Sequence, residues 1–304
     1  MSATLIAVVL ALFLGHAVAP LTRLRRYGWF VRWLALMQQW LGSGAASAFA
    51  LLLTLGLPLL LVGCLQSALD GRFFGIPGFV FAVVMLLYCW GPRDLDVDVE
   101  AVDEAPDEAA RQRAIGQLAG DGRPVAGDDA PGLVAAVFSG ARRRWFGVLL
   151  WFMLLGPFGA LLYRLAERGT LGDAAGFLPG AHAAAYRHLL AILDWPVAQL
   201  MALALALVGS FDAVYAAWRQ WHAARHGQPF DFSTGFLDAA ALASVQQSAR
   251  HQAQQQVLDI EAGLDAPADA PQSLFWMNTA MALVWRILVA WLVVLALFVL
   301  AGYV

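Results

Sequence analysis

Six apolar runs, each long enough or nearly long enough to cross a bilayer, constrain this chain more than any other feature. A segment surrounded by lipid must satisfy its backbone hydrogen bonds internally, which leaves helices and closed barrels. A spanning helix needs about 20 mainly apolar residues, whereas barrel strands are short and alternate in polarity. The runs Ser2–Ala19, Ala45–Gln66, Ile76–Trp90, Trp145–Tyr163, Pro196–Tyr215 and Ser273–Val304 fit the helical alternative. Composition agrees, at 61% hydrophobic and 13% charged residues, against roughly 45–50% and about 25% for soluble domains. The expected fold is therefore all-α: a polytopic helical membrane protein with about six transmembrane helices and cytoplasmic helical loops.

Arginine placement sets the expected orientation. Alternate loops hold Arg23, Arg25, Arg26, Arg32, Arg93, Arg111, Arg113, Arg123, Arg142, Arg143, Arg144, Arg219, Arg225 and Arg250. The remaining loops hold only Arg72, Arg164, Arg168 and Arg187. The positive-inside rule puts the first set in the cytoplasm and both termini in the periplasm of a bacterial inner membrane. Ser2–Ala19 carries no basic residue before it and Pro20 after it, which reads as an uncleaved anchor.

The organisation that follows has five parts. Residues 1–90 hold the first three spans with a basic cytoplasmic loop, and residues 91–144 form a cytoplasmic acidic and helical loop. Residues 145–215 hold spans four and five with a periplasmic loop over 165–195. Residues 216–272 form a cytoplasmic amphipathic segment, and residues 273–304 the last span. In the first loop an acidic stretch (Asp94, Asp96, Asp98, Glu100, Asp103, Glu104) precedes a short helix from Asp107 that stops at Gly120. Asp128-Asp129-Ala130-Pro131 predicts a second helix start, an acidic cap followed by proline, running on into the fourth span. The periplasmic loop predicts an amphipathic helix over Ala181–Leu193. The other cytoplasmic segment predicts one over Phe236–Ala262, stopping at Gly263, with Leu237, Leu242, Val245, Ala249, Ala253, Val257 and Ile260 as a packing stripe.

Several chemistries are excluded or weakened. All 19 basic residues are arginine, so lysine Schiff-base chemistry and a P-loop lysine are absent. A net charge of −3 makes no electrostatic case for nucleic acid. Cys64 and Cys89 stand apart in apolar runs and read as small buried residues rather than a disulfide or metal site. His222 and His226 share a helical face, but no further ligand has recognisable spacing; His182 and His188 fit a metal less well still. No metal ligands are assigned. Arg142-Arg143-Arg144 before Trp145 reads as a topology anchor binding anionic lipid headgroups, with a phosphate contact as the alternative. Arg286 is the one basic residue inside an apolar run. It either snorkels into headgroups or pairs with Asp212.

A bipartite motif remains: Gly156-Pro157-Phe158-Gly159-Ala160-Leu161-Leu162-Tyr163-Arg164, and Leu193-Asp194-Trp195-Pro196. As physics, Gly156 and Gly159 permit close helix approach beside a bend at Pro157. Tyr163 and Arg164 would anchor a span at the outer interface, Asp194 would cap the next helix, and Trp195 would be a belt residue. An outward-facing Arg164/Asp194 ligand pair is the other reading.

At this motif, and at Leu207-Val208-Gly209-Ser210-Phe211, the chain resembles the CobD/CbiB superfamily, and within it the AmpE family of ancillary membrane proteins in β-lactamase regulation. The resembling residues lie within about Phe138–Phe211. The superfamily's enzyme branch makes an amide bond late in cobalamin assembly using ATP, and carries an acidic-asparagine run before the fourth span. Here that stretch is Ala135-Ala136-Val137-Phe138-Ser139-Gly140-Ala141-Arg142-Arg143-Arg144, with no carboxylate and no asparagine. The oxygen ligands needed for acid/base work and magnesium-phosphate binding are missing there. The resemblance thus implies a non-catalytic signalling modulator with no cofactor, working with the lipid bilayer and a membrane or cytoplasmic protein of peptidoglycan recycling. The alternative is a membrane-bound ATP-dependent amide ligase, or a cell-wall enzyme, using ATP and magnesium through Asp94, Asp96, Asp98 and the arginine run.

Overall fold

The computed structural model describes residues 6–8, 10–11, 27–41, 47–69, 75–91, 94–120, 125–171, 176, 178–224, 232–261 and 272–301. Among these it is helical throughout, with no strand. Most of the expected Ser2–Ala19 span lies outside the described residues, as do Arg23, Arg25, Arg26, Arg72, Arg93, Arg123, Arg225, His226 and Gly263.

The helices in order are α1 Gly28–Leu41, α2 Ser47–Leu69, α3 Ile76–Cys89, α4 Leu95–Asp103, α5 Glu108–Ala119 and α6 Ala130–Ala141. A π-helical turn, Arg142–Phe146, leads into α7 Gly147–Leu155, followed by α8 Pro157–Arg168, α9 Gly180–Val208, α10 Phe211–Ala223, α11 Gly235–Glu261 and α12 Gln272–Leu300. Three segments are long and apolar enough to cross a membrane: Ser47–Leu69, Gly180–Val208 and Gln272–Phe298. Ile76–Cys89 is a shorter apolar helix. At 14 residues it rises about 21 Å, less than the roughly 30 Å of hydrocarbon. The three long helices suit a membrane protein.

Local chemistry accounts for many boundaries. The Asp107 carboxylate accepts from Ala110 N at 2.5 Å and starts α5, and Gly120 ends it with φ of 64°. Asp129 accepts from Gly132 N at 3.0 Å and starts α6. As expected, α6 continues without a break into the next segment, through the π turn.

Four expectations are corrected. The acidic stretch after Gly91 is a helix, α4, whose Leu95, Val99 and Val102 are buried in three- and four-residue steps. The basic loop before the second run contains α1, which buries Phe30 and Leu34. The predicted periplasmic helix and the fifth span are one helix, α9, and this helix breaks at Gly209-Ser210 instead of continuing to Tyr215.

The fourth correction matters most. Trp145–Tyr163 is not a single span, because the chain reverses at Gly156-Pro157. A Cβ placed on Gly147 would fall on the Tyr163 ring, yet a straight helix would hold those residues about 24 Å apart.

The chain forms two compact units: Met1–Pro92, Arg143–Asp194 and Val294–Val304 make the first, and Arg93–Arg142 with Trp195–Val293 the second. In the first unit α8 is the central helix, packed against α2, α3 and α7. In the second, α11 packs on α10 and α6, and α5 packs on α4 and α6. The stripe expected on α11 is thus packed, but over a shorter stretch. Leu237, Ala240, Ala241, Ser244 and Val245 are buried, Leu242 and Ala249 are half-buried and Ala253 is exposed. The side chains of Val257 and Ile260 lie outside the described residues.

Candidate functional site: a buried polar joint at a helical hairpin

The hairpin exists because of its glycines and proline. Gly156 has φ 66° and ψ −151°, a region essentially closed to other residues. Pro157 then starts α8 at its first turn, where its missing N–H costs nothing. Gly159 lies against the Trp151 carbonyl and Leu155, and Gly147 against Tyr163, so the two arms approach at backbone distance.

The turn's exposed backbone groups need partners. Gln66 on α2 supplies both: its Oε1 accepts from Phe158 N at 3.1 Å, and its Nε2 donates to the Leu155 carbonyl at 3.4 Å. One amide side chain therefore closes the end of α7 and the start of α8. Sequence reading missed Gln66, whose only signal was a polar residue late in an apolar run.

Beyond the turn, α8 is buried along most of its length, including Tyr163, Arg164 and Glu167. This overturns the placement of Tyr163 and Arg164 at an outer interface. Arg164 is 0% exposed and ion-pairs with Glu167. Its Nε donates to the Cys89 carbonyl at 2.7 Å, and its Nη2 to the Arg144 carbonyl at 3.4 Å. The first bond satisfies a carbonyl at the C-terminus of α3. The second reaches a carbonyl of the π turn, where intrahelical bonding is shifted. One guanidinium thus joins three elements of the hairpin's surroundings.

Tyr163 Oη donates to Asp194 Oδ1 at 2.6 Å. Asp194 is buried inside α9, not capping its start, and Pro196 is likewise internal to that helix. Trp151 Nε1 donates to the Leu193 carbonyl at 3.1 Å. The two halves of the motif therefore meet, through Tyr163 and Trp151 on one side and Leu193-Asp194 on the other. They do not make an outward-facing Arg164/Asp194 pair, since both residues are buried. Trp195 is 39% exposed.

An aromatic group adjoins the joint. Tyr27 Oη donates to the Tyr88 carbonyl at 2.8 Å, Trp29 Nε1 donates to Tyr88 Oη at 2.6 Å, and the Arg168 guanidinium lies 4.8 Å from the Tyr27 ring centroid. Burial pushes the Tyr27 phenol well above its ordinary pKa, so the hydroxyl remains a donor. Burial also pulls the Arg168 pKa down, against the opposing pull of Glu167.

The other predicted positions are dispersed. Arg142 is buried while Arg143 and Arg144 are half-buried, so the run is a packed π turn and not a strip open to headgroups. Arg286 and Asp212 are both exposed, and among the described residues they form no pair. Asp94, Asp96 and Asp98 recur at every second residue, which turns successive carboxylates about 200° around a helix. Asp96 accepts from Trp285 Nε1 at 3.0 Å, whereas Asp98 is buried. His182 is buried with Nδ1 3.4 Å from Gln38 Oε1, and His222 sits between the rings of Trp218, Trp221 and Phe236. Cys89 is buried and Cys64 is exposed, which corrects the reading of both thiols as buried. Among the described residues no three His, Cys, Asp or Glu side chains group as metal ligands.

The joint's geometry holds helices together. Its carboxylates face groups of the chain itself, with Glu167 on Arg164 and Asp194 on Tyr163. Comparison with protein-family models, curated proteins and solved structures finds no match to this chain.

Proposed function

We propose that this protein is a multi-pass inner-membrane signalling modulator of the AmpE type, acting without catalysis in β-lactamase induction and the response to cell-wall damage. One observation carries the reading: the 165–195 segment is wired to the hairpin by Tyr163–Asp194, Trp151–Leu193 and the seating of Gly169 against Tyr186. Tyr186 in turn shares a 2.7 Å hydrogen bond with Thr54 of α2. A displacement in that segment must therefore move α8 or break a buried bond, which is what a transmitted signal requires.

In this arrangement α2, α9 and α12 cross the membrane. The first half of α12 lies beside the acidic helix α4, through Trp285–Asp96 and Asn278–Asp103. That placement favours Arg286 as a headgroup-level residue. The protein partner is a component of peptidoglycan recycling. Deletion of the gene in a strain with an inducible β-lactamase should change induction and drug sensitivity, and Tyr163→Phe should change them in the same direction. Unchanged induction in the deletion strain overturns the proposal.

A further inference from the structure

The span α9 ends at Val208, and the chain starts a new helix three residues later. Gly209 makes the break possible: a Cβ there would stand 2.6 Å from Ser244 Oγ and 2.9 Å from the Leu205 carbonyl. Ser210 is extended, with φ −96° and ψ 106°, so α10 does not prolong α9.

The helix α10 has three differently dressed sides. Its inner side faces α11: Val214 is buried, and Trp221 and His222 meet the Phe236 ring at centroid distances of 5.7 and 5.6 Å. A second side carries Asp212, Arg219 and Gln220, all exposed. Between them runs an edge of Phe211 and Tyr215, stacked at 6.0 Å yet 58% and 50% exposed. The Arg219 guanidinium lies 6.0 Å from the Tyr215 ring centroid, at the boundary between aromatic and polar sides.

The span ends on exposed apolar side chains, with Leu203 59% and Leu207 73% exposed, and Phe211, the first residue of the aromatic edge, comes four residues after Leu207, just beyond the break. A surface that faces acyl chains at Leu203 and Leu207 reaches the headgroup level where the span stops, and aromatic side chains with an adjacent arginine suit that level. We infer that α10 lies in the plane of the membrane surface, with Phe211 and Tyr215 seated at the headgroup–acyl boundary of a phospholipid bilayer and Asp212, Arg219 and Gln220 in water. The inference rests on the proposed reading of α9 as a membrane span.

The test uses the full-length protein in phosphatidylethanolamine/phosphatidylglycerol vesicles, on a Cys64→Ala, Cys89→Ala background. Single cysteines at Leu203, Phe211, Asp212, Tyr215, Ala216, Arg219 and Gln220 are spin-labelled, and collision rates with oxygen and a water-soluble nickel chelate are measured. All seven positions are exposed, so the label replaces no core packing. Labels at 203, 211 and 215 should favour oxygen, deepest at 203, while those at 212 and 220 favour nickel several-fold more. If 203 favours oxygen but 211 and 215 match 220, the helix lies in water and the inference fails alone. If 211 and 215 are shielded from both reagents and show spin–spin broadening, a second copy covers the edge, and the inference fails again. Nickel contact at 203 itself overturns the span reading and the inference together.

Discussion

The Arg164 guanidinium has lost its water, and its ion pair with Glu167 stands where both groups are buried. Such a pair contributes little against an apolar replacement, but breaking it strands the other charge, at roughly 3–5 kcal/mol. Arg164→Met should therefore destabilise the folded protein in detergent by about that amount, whereas Arg164→Met with Glu167→Leu should recover much of the loss. Unfolding transitions of the single and double variants measure this, and equal losses would mean that the pair is not coupled. Tyr163→Phe keeps the ring against Gly147 and removes only the bond to Asp194. The expected loss is about 1.5–3 kcal/mol, that of a hydrogen bond to a charged group. Asp194→Asn should lose less than Asp194→Leu, because an amide oxygen still accepts from Tyr163. Arg286 and Asp212 give the opposite expectation. Both are exposed and unpaired with one another among the described residues, so the double charge swap should show the simple sum of its single effects on stability.

At the level of elements, the hairpin depends on a backbone conformation that only glycine adopts without strain. Gly156→Ala should cost about 1–3 kcal/mol from backbone strain alone, and the added Cβ would also press on Gln66 Nε2 at 2.8 Å. The reversal itself is measurable with spin labels at Arg144 and Leu162, both half-buried. A straight helix separates them by about 27 Å, while the hairpin brings them close enough for strong dipolar broadening. Absence of broadening would restore the straight span. Gly-Pro-Phe-Gly was plain in the sequence as a bend, but a bend and a full reversal use the same residues. What separates them is tertiary: the space at Gly147 for Tyr163, and Gln66 arriving from α2. The start and stop of α5 and the start of α6 were legible because Asp107, Gly120 and Asp129 act on neighbours within the chain. The helix α4 was hidden, since its carboxylates dominate the local pattern and its buried residues Leu95, Val99 and Val102 are few. Asp194-Trp195-Pro196 looked like a helix start, but the packing of α9 carries the helix through that proline.

For the molecule as a whole, hydropathy marks the apolar segments without sorting them, because it registers burial in protein and exposure to lipid alike. The segment of α7 and α8 is mostly buried, with Phe152, Leu161 and Tyr163 at 3% exposure or less, and Leu154 and Leu155 exposed beside the turn. The segments of α2, α9 and α12 carry apolar faces that no described residue covers. Leu52, Leu60, Leu203 and Leu297 are each 59–67% exposed, beside further exposed leucines on the same helices. Water-soluble proteins rarely leave contiguous apolar patches beyond a few hundred Å², so these faces call for lipid. A carbene reagent dissolved in the bilayer distinguishes the two kinds of apolar segment directly. Peptides covering Leu52–Leu61, Leu200–Leu207 and Val293–Leu297 should be labelled strongly, and the buried stretch Ala160–Ala166 of α8 weakly. Equal labelling of that stretch would place the hairpin on the lipid-facing surface, and the buried joint at Arg164 would then have to open within the membrane.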